Sequence, residues 1–180
     1  MVKYSLLALL LVGCGREEIR IDSEERAPTP VSASAVVSQD LFNIAYDLAA
    51  VVSSYGYPVE NFKQHAEYLI DDITVNYIED NKGYTRGSIL ALAWCADYTK
   101  YCKSVFRQST VDSVSVRQTV YHETLHILGF GHEYCELGSC KGIMGAFLDT
   151  TRDDTMPVNV TATYLKTLPY SRPLQPGDSQ

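Results

Sequence analysis

Apolar positions recur at helical spacing over residues 38–53. Leu41, Ile44, Ala45, Leu48, Val51 and Val52 follow the i, i+3, i+4, i+7 rule and share one face of an α-helix. Ser38 stands before them as an N-cap, and Gly56 and Pro58 end the run. Residues 61–69 fit helix or strand. Residues 73–78, I-T-V-N-Y-I, alternate with β-branched and aromatic side chains, which predicts a strand followed by a turn at Asp80, Asn81, Lys82 and Gly83. Residues 87–95 form an apolar run of strand length, and a second strand is expected at 104–107. Asp112 is placed to cap a long helix over 113–128, and a closing helix is expected over 161–168.

Upstream of residue 38 the pattern changes. Residues 6–12 are an unbroken apolar run preceded by Lys3. That is too short for a bilayer span, which needs ~20 apolar residues, and reads as an export signal over residues 1–13. The string Leu11, Val12, Gly13, Cys14 resembles a bacterial lipobox, which implies cleavage before Cys14 and lipid on its sulfur. The competing reading is a plain signal peptide with an incidental cysteine. Gly15 is not the aspartate associated with inner-membrane retention, so the expectation is an exported, outer-membrane lipoprotein of the bacterial envelope. Residues 14–37 are charged and then rich in Pro, Ser and Ala, as in a flexible tether, and one domain is expected over 38–180.

Composition agrees with that division. A chain of 180 residues, 46% hydrophobic and 21% charged, suits a soluble globular domain. At this length it buries ~70% of its unfolded surface and is expected as a monomer. The net charge of −7, one unit more acidic once Lys3 is removed, argues against a nucleic-acid partner. Beyond Cys14 there remain Cys95, Cys102, Cys135 and Cys140. In an exported protein these suggest two disulfides, with the local pairings Cys95–Cys102 and Cys135–Cys140 preferred over two other connectivities. A four-cysteine zinc site competes, although neither pair has the two-residue spacing of a zinc knuckle.

Candidate chemistry is concentrated in residues 121–132, Y-H-E-T-L-H-I-L-G-F-G-H, which hold three of the four histidines. His122 and His126 are four residues apart and on a helix can direct two ring nitrogens at one ion. Gly129 can take positive φ, end the helix and return His132 as a third ligand. Three nitrogens with an open fourth position make a catalytic rather than a structural zinc site. Glu123, beside the first ligand, is placed to act as general base on water. His65 is expected at the surface, with no metal role.

The full H-E-x-x-H-x-x-G-x-x-H string resembles the metzincin metallopeptidases, whose further hallmark is a methionine turn after the third histidine. Met144, in K-G-I-M-G twelve residues after His132, supplies one and by analogy forms an apolar floor under the metal. The resemblance covers residues 87–146. It implies an α+β fold with a twisted mixed sheet, an active-site helix and a C-terminal helix. It also implies a substrate edge strand drawn from Ile89, Leu90, Ala91, Leu92 and Ala93, and a specificity-pocket wall at 146–152. The competing reading of that strand is a buried central one.

The G-F-x-H-E string ending at Glu133 is similar to the astacin signature. Astacins place a tyrosine two residues after the turn methionine where this chain has Ala146, and their glutamate meets a free mature N-terminus, here expected to carry lipid. The cysteines around the turn look more like those of reprolysins. The expected function is zinc-dependent endopeptidase activity on a peptide or protein substrate, with cleavage of cell-wall peptide cross-links as a narrower variant. A non-catalytic zinc- or peptide-binding lipoprotein is the alternative.

Overall fold

The computed structural model describes residues 31–59, 62, 66–96, 101–133, 142–145 and 160–170. The leader with Cys14, His65, the segment with Cys135 and Cys140, and the expected pocket wall at 146–152 lie outside the described residues.

A four-stranded mixed sheet is the centre of the fold, in the order β1-β2-β4-β3. β1 (Val36–Val37) runs antiparallel to β2 (Ala66–Ile70), β2 is parallel to β4 (Tyr101–Phe106), and β3 (Ala91–Ala96) is antiparallel to β4. Among the described residues β3 therefore lies at an edge, not in the middle of the sheet. Val36 and Val37 fall in the stretch expected as tether, and the Ser32 amide donates to the Asp71 carboxylate at 3.0 Å, so folded structure begins before Ser38.

Alternation along the strands divides the core. Tyr68, Cys102 and Phe106 face the main cluster, whereas Leu69 and Val105 face a smaller one with Val75. Helix α1 (Gln39–Ser54) buries Leu41, Ala45, Leu48, Ala49 and Val52 on one stripe. Its Ser38 cap accepts from the Leu41 amide, as the spacing predicts. Helix α1 packs against helix α4 (Val116–Ile127).

Three sequence expectations need correction. Residues 73–78 are not a strand but part of helix α2 (Asp72–Lys82). Asp71 caps it, accepting from the amides of Ile73 at 3.1 Å and Thr74 at 3.3 Å, and Gly83 closes it at φ 77°. Six alternating residues also span less than two helical turns, and here Val75 and Ile78 are the buried pair while Ile73 and Tyr77 face solvent. The expected turn at 80–83 is the end of this helix. Asp112 does not cap the long helix: it follows the short helix α3 (Gln108–Val111), takes a bond from Gln108, and lies ahead of a turn that delays α4 to Val116.

The third correction concerns the apolar run at 87–95, which becomes strand only from Ala91. Glu79 captures the preceding backbone through the amides of Gly87 at 3.1 Å and Ile89 at 2.8 Å, and Leu90 gives its carbonyl to Arg107 and Thr110. Of the proposed edge-strand residues, Ile89 and Leu90 precede β3, while Ala91, Leu92 and Ala93 lie in it. The ambiguous 61–69 stretch contributes β2, the second strand runs from Tyr101, and the closing helix is one turn, α5 (Ala162–Leu165), capped by Thr161.

Cys95 and Cys102 face each other across β3 and β4 and form a disulfide. Their pairing removes two thiols that a four-cysteine site would require. Among the described residues no helix is long and apolar enough to cross a membrane.

Glu79 and Arg107 form a buried ion pair, with 1% and 9% side-chain exposure, and Arg107 also donates to Asn76 and to the Ile89 carbonyl. Removing one partner strands the other charge out of water. Glu79→Ala is expected to lower stability by ~3–5 kcal/mol in urea unfolding. A loss no larger than that of an exposed ion pair, under ~1 kcal/mol, would contradict the burial argument.

Candidate metal centre

Helix α4 is fastened to the sheet before it offers any ligand. Its Thr124 hydroxyl donates to the Val120 carbonyl at 2.6 Å and lies 2.7 Å from the buried Tyr68 hydroxyl of β2. Burial pushes the Tyr68 hydroxyl far up, and the charge of nearby Glu123 adds to the effect, so it stays a neutral donor. His122 and His126 emerge from the same face of this helix.

Gly129 then ends α4 at φ 97°. Its amide bonds the His126 carbonyl and the Phe130 amide bonds the Leu125 carbonyl, both at 2.9 Å, which is the Schellman arrangement. The reversal brings His132 back to its two partners, as the glycine's spacing predicts.

The three Nε2 atoms form a nearly equilateral triangle: His122 to His126 is 3.1 Å, His126 to His132 is 3.2 Å, and His132 to His122 is 3.3 Å. An ion bound tetrahedrally at ~2.0–2.1 Å from each nitrogen would set them ~3.3–3.4 Å apart. The triangle therefore fits a small tetrahedral metal ion. His122 is buried, His126 intermediate and His132 exposed, so the triad opens toward solvent on one side.

Tautomers explain why the triangle suits a cation. His122 Nδ1 lies 2.7 Å from the Ile143 carbonyl, and His126 Nδ1 lies 2.9 Å from the Phe130 carbonyl. A carbonyl only accepts, so each Nδ1 carries the hydrogen and each Nε2 presents a bare lone pair. Burial, joined by the charge of His126, lowers the His122 pKa to about 3, and burial, joined by His132, lowers that of His126 to about 4. Both rings are thus neutral near pH 7. The 3.1 Å contact joins two acceptors, and a hydrogen on His132 could satisfy only one of them. A cation at the centre satisfies all three.

Glu123 is 6% exposed and follows His122 on α4. Met144 is fully buried in the main core cluster. It belongs to a turn at 142–145 that runs beside the first ligand, since the Ile143 carbonyl is the one holding His122. β3 packs against α4, the helix of the first two ligands.

Sequence reasoning missed the groups that hold this turn. The Glu133 carboxylate accepts from the Gly142 amide at 3.2 Å and from the Tyr164 hydroxyl, and the Glu133 amide donates to the Met144 carbonyl at 2.9 Å. A Cβ at Gly142 would meet the Glu133 carboxylate and the Tyr164 hydroxyl, so a larger residue there would have to displace those side-chain ends. The sequence carries the G-I-M-G string and the Glu133 that ends G-F-x-H-E, but neither reveals this contact. The Ile143 and Phe130 carbonyls are backbone groups with no signature.

The folded domain is expected to take up one equivalent of a first-row divalent metal ion, and His126→Ala to lose most of it, because two nitrogens hold the ion poorly against water. Full occupancy in the variant, measured by elemental analysis after dialysis, would refute the ligand assignment. No protein-family model, no curated protein and no solved structure matches this chain.

Proposed function

We propose that the chain is a zinc-dependent endopeptidase of metzincin type. The observation that carries the reading is the triangle of bare Nε2 atoms, with Glu123 adjacent in sequence to its most buried member. Imidazole donors without sulfur suit zinc, and Cys95 and Cys102 are already spent on each other.

His122, His126 and His132 hold the ion through Nε2. Zinc in such a site supplies Lewis-acid polarisation of a carbonyl and acidifies water toward a pKa of ~7. A Glu123 carboxylate oxygen takes the proton of the water that attacks the scissile carbonyl. It returns that proton to the amine nitrogen as the C–N bond breaks. Burial of Glu123 limits competition from bulk water for that proton. Met144 forms the apolar floor.

The peptide lies along β3 at Ala91, Leu92 and Ala93. Among the described residues β3 pairs with β4 alone, which leaves its other edge for an added strand. The domain acts at the bacterial envelope, tethered through lipid on Cys14.

Glu123→Gln keeps size and most hydrogen bonding but cannot take a proton. It is expected to retain fold and zinc while cleavage of a mixed peptide library falls ~10²- to 10⁴-fold or more. Unchanged cleavage, with contaminating protease excluded, would overturn the mechanism. A zinc-loaded parent that cuts no peptide would instead indicate a zinc- or peptide-binding protein. For the anchor, the native protein should incorporate labelled fatty acid and partition into detergent, and Cys14→Ser should do neither. Equal labelling of the two would remove the lipid.

A further inference from the structure

Two peptide planes connect the metal centre to one short segment of the chain. The Ile143 carbonyl faces His122 Nδ1, and the amide at the opposite edge of the same plane, Met144 N–H, donates to the Tyr164 hydroxyl at 3.0 Å. The Phe130 carbonyl faces His126 Nδ1, and the amide at the opposite edge of its plane, Gly131 N–H, donates to the Pro169 carbonyl at 2.7 Å. A trans peptide is rigid and its C=O and N–H point in opposite directions, so fixing one edge fixes the other. None of the described peptide bonds is cis.

Each plane has a second support. Tyr164 is itself held by the Glu133 carboxylate, and the one-turn helix that presents it is capped by Thr161. The Phe130 ring packs against Tyr57 and Tyr170 with centroids 5.0 Å from each, and Phe130 and Tyr170 form an isolated antiparallel bridge.

We propose that residues 161–170 are a positioning brace for the metal centre, with Tyr164 setting His122 through the Ile143–Met144 peptide and Pro169–Tyr170 setting His126 through the Phe130–Gly131 peptide. The proposal rests on the three-histidine metal reading. Tyr164 and Tyr170 act through other groups, so their removal changes ligand orientation and metal affinity rather than the ligand set. Loss of such outer partners commonly weakens metal binding ~10- to 100-fold.

The test uses the whole mature chain and two variants, Tyr164→Phe and Tyr170→Ala, with zinc affinity read by chelator competition. Imidazole ¹H–¹⁵N correlations of the zinc-loaded proteins report each Nδ1–H. Tyr164→Phe should weaken zinc ~10- to 100-fold and move the His122 Nδ1–H signal more than that of His126, and Tyr170→Ala should do the reverse. If Tyr164→Phe fails to fold, the Tyr170→Ala pattern alone decides. Unchanged zinc affinity, or equal movement of both rings in a folded variant, would overturn the brace while leaving the metal reading intact. A parent chain that takes up no zinc would overturn both.

Discussion

Two histidine nitrogens that can only accept hydrogen bonds are held 3.1 Å apart, and the local structure is built around keeping them there. Left to themselves, two neutral imidazoles at this distance would turn so that one donates to the other. The Ile143 and Phe130 carbonyls prevent it by claiming both Nδ1 hydrogens. Burial prevents the other escape, protonation, by pushing both rings to low pKa. The site is therefore arranged at some cost to stability in favour of a cation, a common signature of a functional centre.

Supporting that arrangement explains much of the surrounding fold. Helix α4 carries two of the three clustered histidines and is held by the Tyr68–Thr124 hydrogen bond and by packing against α1. The Schellman turn at Gly129 brings the chain back at the distance the third ligand needs. The Glu79–Arg107 pair holds the backbone that enters β3, so strand structure begins at Ala91. Tyr68 and the Glu79–Arg107 pair are remote in sequence from the histidines, whereas Thr124 and Gly129 lie between them.

What was legible in the sequence follows from which forces are local. The histidine spacing, the helix-ending Gly129 and the Ser38 cap depend on neighbours a few residues away, and each appears where the pattern places it. So does the pairing of Cys95 with Cys102, seven residues apart. The strand expected at 73–78 failed because β-branched side chains outweighed the stronger punctuation of Asp71 and Gly83. The early start assigned to the edge strand failed because Glu79, distant in sequence, competes for the backbone of residues 87–89. The carbonyls that set the tautomers, and the Tyr164 and Pro169 contacts behind them, arise only from folding; no residue type marks them in advance.

On the proposed reading three imidazoles, and no sulfur, form a tetrahedral site with one position left open. Zinc K-edge X-ray absorption on the zinc-loaded mature chain tests it most directly. It should show the multiple scattering of three imidazoles and one further oxygen donor, all at ~2.0–2.1 Å. A sulfur shell near ~2.3 Å, or four protein nitrogens closing the site, would contradict it.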